Sequence, residues 1–363
     1  MRRDILELDT SATHTYKELE LTLGDVEALR LVLAGSSVID WQRANFPDLA
    51  AVDHHLALLL IDVEDPLDRE RLRFVYNEAV SYLEEQLRLQ FPPELRNPQD
   101  PRQVFVWASE TGGFRRRQIL SCVILKLMHV IHHMEAADLK FRSAISEAEL
   151  CDLAEARILR QARQMQKSSL PVVSFYGSRK TRNSVITKLI AKKETIAATI
   201  FDKLRFRLVV ETGDDLVPAL LWLQRNMFPF NYVIPAQSHN NLLDPSRVLE
   251  HTDQQALTRA QPLSDEPIQK LTGKNEFSGA DYRMINFIAD YPLGLPEARS
   301  PYLSLELGRV VFLMVEFQIV DVETARLNED GENAHHLYKQ RQYGVVAQRL
   351  KRGGLSKKER GKG

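Results

Sequence analysis

A chain of 363 residues that is 44% hydrophobic and 27% charged, with a formal net charge of −1, is long enough for two domains and rules out a globally basic protein, so any basic character is local. Two cysteines, Cys122 and Cys151, suggest neither a disulfide framework nor a zinc site. No contiguous apolar run approaches the ~20 residues that cross a bilayer, the first residues lack a signal peptide's apolar core, and a cytoplasmic location is expected.

The first half reads as helical. Asp68 to Phe91 carries Leu72, Val75, Ala79, Leu83 and Leu87 at helical spacing and stops before Pro92-Pro93. After Thr111-Gly-Gly113, a long amphipathic helix is expected from about Phe114 to Met134. A third, with Ser146 as N-cap and Glu149 three residues on, is expected to reach Gln166. Beyond Leu170 short β-branched runs alternate with helices. Val172 to Tyr176 reads as a strand, Arg182 to Lys193 as a basic helix and Phe201 to Val210 as a second strand. Gly213-Asp-Asp215 caps a helix through Leu216, Leu220, Leu221 and Leu223. A polar stretch from Ala236 to Ser278 is long for a loop and suits a lid or insertion. Strands near Tyr282 to Ala289 and Arg309 to Val320 complete a mixed sheet. The expected class is α+β: a helical domain over 1–167, a mixed-sheet domain over 168–348, and a basic disordered tail over 349–363 that offers nonspecific attraction to RNA.

Two acids stand out among the strands. Strand alternation puts Asp202 on a face with Leu204, Phe206 and Leu208, and Glu316 lies beside Gln318 in an otherwise apolar run. Carboxylates at such positions need partners. Two on neighbouring strands, flanked by Lys and Arg, suit a divalent metal that handles nucleotide phosphates. Lys180, Ser184 and Lys188 are four apart and share a helix face.

These residues resemble a known family. Val315-Glu-Phe-Gln-Ile319 followed by Glu329-x-Gly331-x-x-Ala334-His335-x-x-Tyr338-Lys339 looks like the end of the RelA/SpoT synthetase domain. Asp202-x-x-x-x-Arg207 matches that family's strand motif, and Lys180-x-x-x-Ser184-x-x-x-Lys188 matches most of its basic helix. The four blocks follow the family's order. The resemblance implies a nucleotidyltransferase-like fold and transfer of pyrophosphate from ATP to the 3′ hydroxyl of GDP or GTP, giving (p)ppGpp. It assigns Mg²⁺ to Asp202 and Glu316, with Arg207 as a third catalytic group. Lys180, Arg182, Ser184, Lys188, Tyr282, Gln318, His335 and Lys339 would hold the nucleotides or support the site. Three positions depart from the pattern. Arg205 replaces a glycine, Ser178 replaces an adenine-stacking arginine so that Arg179 or Arg182 would have to substitute, and the guanine-stacking block survives only as Tyr282. A tRNA end or an adenine nucleotide as acceptor, and a non-catalytic nucleotide- or RNA-binding homologue, are the alternatives. In the first half, His54-His55, Asp62 and the helix carrying His129, His132 and His133 faintly echo the His-Asp site of the related hydrolase domain. Ile61 stands where its metal-binding histidine belongs, so these histidines read as packing or helix-surface residues.

Overall fold

The computed structural model describes residues 5–7, 25, 28–29, 32–33, 41, 45–110, 115–165, 167–168, 170–191, 203–234, 237–243, 282–295, 306–329 and 335–352. Its centre is a mixed six-stranded sheet: β1 (Ile5–Glu7), β2 (Val172–Arg179), β3 (Leu204–Val210), β4 (His239–Asn240), β5 (Ile285–Gly294) and β6 (Val310–Asp321). The spatial order is β1-β2-β3-β6-β5-β4, with β3 and β6 parallel and all other neighbours antiparallel. Ten helices accompany it among the described residues. Helices α1 (Leu49–Leu58), α2 (Pro66–Leu87), α3 (Pro93–Arg96), α4 (Gln103–Ala108), α5 (Arg115–Arg142) and α6 (Glu147–Met165) precede β2; α7 (Arg182–Ala191), α8 (Leu216–Asn226), α9 (Val322–Glu329) and α10 (His335–Arg352) follow it. The α+β class expected from the alternating texture is the class observed.

Local chemistry sets the ends of several elements. Ser146 Oγ accepts from the Glu149 amide at 3.2 Å while the Glu149 carboxylate accepts from the Ser146 amide at 2.9 Å, the reciprocal cap expected for α6. Before α8 the cap differs from expectation. Thr212, one residue earlier than the Gly213-Asp-Asp215 run, donates from its amide to Asp215 Oδ2 at 2.8 Å, and a single 3-10 turn (Gly213–Asp215) leads into the helix. Helix α2 starts from Asp65, whose carboxylate accepts from the Leu67 amide, with Pro66 at the first position.

The two faces of the sheet are chemically opposite. Leu204, Phe206, Leu208, Phe287, Val315, Phe317 and Ile319 point to one side and are buried against α6 and α8. Phe317 is the hub there: its ring centre lies 6.1 Å from that of Phe206, 5.6 Å from that of Phe287 and 5.0 Å from that of Phe228. Helix α6, which precedes the expected boundary at 167, contributes Leu150, Ala154, Ile158 and Met165 to this core.

A second core, around Val52, Leu56, Tyr76, Val104, Phe105 and Leu125, joins α1, α2, α4 and α5. Helix α5 extends to Arg142, past the expected end at Met134, and is long and apolar enough to cross a membrane by those measures alone. Counting only contiguous apolar residues misses that property. In the fold, Cys122, Ile124, Leu125 and Met128 pack into the second core, and His132 and His133 pack on the start of β6. His133 lies 4.7 Å from the Phe312 ring centre and its Nδ1 is 3.5 Å from Asp290, while His132 Nδ1 is 3.1 Å from the Tyr232 hydroxyl. The packing reading of the first-half histidines therefore holds for His55, His129, His132 and His133.

Burial lowers these imidazoles far below their usual range: His55 and His132 to about 3 and His133 to about 4, with His129 also held well below it. The unfolded chain takes up these protons below about pH 6.5, so as the pH falls from there towards 4 the unfolded state binds more protons and stability declines. Asp290, raised by burial to about 6, works against this by protonating earlier in the folded state. Glu135, also raised by burial, acts in the same direction as Asp290, and four histidines against these two acids leave a net loss. Denaturant unfolding at pH 7.5, 5.5 and 4.5 should show stability dropping over that range; a flat or rising profile would contradict the burial of these imidazoles.

Candidate functional site

Arg205 and Arg207 of β3 face the same side as Glu316 and Gln318 of β6, because the parallel register sets Arg205 opposite Glu316 and Arg207 opposite Gln318. On the far side of β6, Ile288 and Asn286 of β5 complete the row. Alternation along the strands thus sends the aliphatic and aromatic residues to the core and gathers the polar ones here.

The polar residues form a directed chain. Glu316, only 4% exposed, accepts from Arg205 Nε at 2.7 Å on Oε2 and from Gln318 Nε2 at 3.0 Å on Oε1. The Gln318 carbonyl oxygen in turn accepts from Arg207 Nε at 3.2 Å and Nη2 at 2.9 Å. Arg207 Nη2 also donates to the Tyr282 hydroxyl at 2.9 Å. The segment bearing Tyr282 is clamped by two asparagines: Asn241 Nδ2 donates to the Tyr282 carbonyl at 2.7 Å, and Asn328 Oδ1 accepts from the Arg283 amide at 3.0 Å. Among the described residues the row carries one carboxylate and two guanidinium groups, and Arg207 Nη1 has no hydrogen-bond partner among them.

Helix α7 approaches the start of β3, where the Lys180 amide donates to the Lys203 carbonyl at 2.9 Å. Thr181 caps it, accepting from the Ser184 amide at 3.3 Å, and its hydroxyl lies 3.0 Å from the Ser184 hydroxyl. Lys339 of α10 reaches Ser184 Oγ at 3.4 Å, which joins the last motif to the first, and Arg349 donates to the Ile190 carbonyl at 2.8 Å. Arg349 to Arg352 continue α10 into the stretch expected to be a disordered tail. Arg182 is exposed on the first turn of α7, and Lys188 is half-buried further along.

The structure therefore brings together Glu316, Gln318, Arg207 and Tyr282, and separately Ser184 and Lys339. Asp202, the side chains of His335 and Tyr338, and Gly331 and Ala334 lie outside the described residues, as do Lys192 and Lys193 and most of the 236–278 stretch. Arg179 is withdrawn from the site. It points to the opposite face, where Asp152 holds it at 2.7 Å and Glu155 at 2.8 Å, so it cannot stand in for the adenine-stacking arginine. Arg205, read from sequence only as a departure from the pattern, is the direct partner of Glu316. A buried acid signals that it needs a cation, but only the register of β3 against β6 shows that the cation is Arg205.

The same pairing decides how well a divalent cation fits. Both Glu316 oxygens are already engaged by donors, and the described residues contain no cluster of three or more His, Cys, Asp or Glu side chains suited to a metal. In this arrangement Arg205 engages Glu316 at Oε2, and Asp202, the other expected ligand of the ion, lies outside the described residues.

No family model and no curated protein matches the sequence. Among solved structures, small alarmone synthetase 1 from Bacillus subtilis is similar over 59% of this chain and 92% of its own, at 12% identity and a TM-score of 0.30. The same protein bound to its product pppGpp gives 58% and 92%, at 11% identity and 0.32. A GTP pyrophosphokinase family protein from Streptococcus pneumoniae gives 66% and 90%, at 13% identity and 0.28. At these values the likeness carries no functional weight, which rests on the motifs and the site.

Breaking the buried pair should be costly. Arg205→Ala leaves Glu316 as an uncompensated buried charge and is expected to destabilise the fold by about 3–5 kcal/mol, whereas adding Glu316→Gln should restore much of the loss. Denaturant unfolding of the two single variants and the double variant checks this, and additive losses would mean that the two side chains do not interact.

Proposed function

We propose that the polar face binds the phosphates of a nucleoside triphosphate, and that the chain transfers pyrophosphate from ATP to the 3′ hydroxyl of GDP or GTP in the manner of the RelA/SpoT synthetases its motifs resemble. One observation carries this reading: Arg207, Tyr282, Glu316 and Gln318, drawn from three separate motifs, form one hydrogen-bonded chain that leaves Arg207 Nη1 without a partner among the described residues.

Each residue has a task in this scheme. Arg207 donates to a phosphate through the nitrogen that has no partner among the described residues, because a fixed guanidinium fork suits phosphate oxygens. Ser184 and Lys188 follow the triphosphate along α7, with Lys180 just before the helix, Arg182 at its first turn, and Lys339 and His335 lending support from α10. Tyr282, its hydroxyl tethered to Arg207, offers a ring face to a purine. In the transfer itself, the acceptor's 3′ oxygen bonds to the β-phosphorus of ATP, the bond from that phosphorus to the α–β bridging oxygen breaks, and AMP leaves. The hydroxyl proton passes to Glu316 once Arg205 has turned from it towards the incoming phosphates. The magnesium implied by the resemblance, with Asp202 and Glu316 as its ligands, would neutralise donor phosphates. No step above depends on it.

A second reading is favoured by a specific contact. With Arg205 in place of the family's glycine and bonded to Glu316, the face can hold a nucleotide without performing transfer. ATP labelled at the γ-phosphate, incubated in turn with GDP, GTP, AMP and bulk tRNA, separates the readings. The account expects label on a guanine nucleotide, with Glu316→Ala and Asp202→Ala each lowering the rate at least ~10²-fold, as for loss of one electrostatic contributor. Binding of ATP that is weakened by Arg207→Ala but yields no transfer would establish the second reading, and ATP binding indifferent to Arg207 would overturn both.

A further inference from the structure

Between the helical layer and the adjoining ends of β5 and β6 lies a cavity of about 700 Å³, within the range that accepts a drug-sized molecule. Its walls are mainly apolar, with Leu56, Leu72, Val75 and Met128 among them. Leu67 and Glu70 are exposed at its rim. Trp41, His55 and His129 also line it, and all three are deeply buried. The Trp41 ring centre is 5.8 Å from that of His55 and 6.3 Å from that of His129, so the three rings form one cluster.

Each ring carries a nitrogen with no hydrogen-bond partner among the described residues: Trp41 Nε1, His55 Nε2 and His129 Nε2. Trp41 Nε1 can only donate. Asn231 Nδ2 lies 3.4 Å from His129 Nδ1; with the amide donating there, neutral His129 bears its proton on Nε2 and donates as well. Burial holds both histidines uncharged near neutral pH. Buried donors left unmet are costly and rare in native folds, and an unoccupied partner position calls for an explanation. The cations bordering the cavity do not invite an anion. Arg71 is bonded to Glu135 and to the Glu306 carbonyl, and Arg309 to Asp65 and Asp68. A carboxylate sent among uncharged rings would lose its hydration with no cation to replace it.

We propose that this cavity binds an uncharged, mainly apolar small molecule bearing a hydrogen-bond-accepting oxygen, of the ketone or quinone class, with that oxygen directed to the Trp41, His55 and His129 cluster. The inference is independent of the nucleotide reading and concerns the start of β6, away from Glu316 and Gln318.

Benzophenone and diphenylmethane, which differ only by the carbonyl oxygen, test it on the full chain by titration calorimetry. Irradiation of bound benzophenone then marks its site by crosslinking and peptide mapping. The expected result is one equivalent of benzophenone bound about tenfold more tightly than diphenylmethane, with crosslinks on peptides that line the cavity. Trp41→Phe and His129→Phe, which keep a ring in place, should erase the preference for the ketone, and Met128→Trp should block both compounds. The comparison on the unmodified protein decides the matter even if a variant fails to fold. Equal affinities, absence of saturable binding, crosslinks elsewhere, or tighter binding of the anion 4-benzoylbenzoate would each overturn the proposal.

Discussion

A carboxylate enclosed in a sheet must accept hydrogen bonds from donors held close to it, and the polar face is organised by how Glu316 meets that requirement. An ionised carboxylate can only accept, so Gln318 turns its NH₂ group towards Glu316 and presents its carbonyl in the other direction. Arg207 can only donate, and it fills that carbonyl and then the Tyr282 hydroxyl. The amide of Gln318 is thereby oriented by its neighbours on both sides. Fixing one acid fixes the direction of every bond along the row, which holds two guanidinium groups and a tyrosine in place.

The sheet makes this arrangement possible by separating its two chemistries. Phe206 and Phe317 alternate with Arg205, Arg207, Glu316 and Gln318 along adjacent strands, so the ring cluster beneath anchors the charged row above. Strand β6 serves two distinct regions of the molecule. Its start, at Val310 and Phe312, abuts the cavity and the histidines of α5, and its middle carries the acid and amide of the basic site.

Much of this was legible in the sequence, and the limits have physical causes. The buried acid of β6, its amide neighbour and the capping box of α6 follow from alternation, spacing and composition, and the tyrosine near the site from the family resemblance. The partner of Glu316 did not, because alternation within one strand says nothing about register between strands; only the parallel pairing of β3 with β6 shows Arg205 opposite the acid. Register also bears on the expected pair of acids. Leu204, Phe206 and Leu208, the residues that alternation grouped with Asp202, face the core, away from Glu316. Asp202 itself lies outside the described residues. The direction of Arg179 was hidden for the same reason: residues adjacent along β2 face opposite ways, and the acids that claim Arg179 belong to α6. The cavity left no trace in the sequence, since its lining comes from segments far apart in the chain.

The most direct test of the central claim is amide hydrogen exchange with and without a non-hydrolysable ATP analogue. If the row running from Glu316 to Tyr282 receives nucleotide phosphates, the analogue should slow exchange at the start of α7, along β3 and around Tyr282, and this protection should vanish in Arg207→Ala. Unchanged exchange in all three regions, or protection that survives the loss of Arg207, would contradict it.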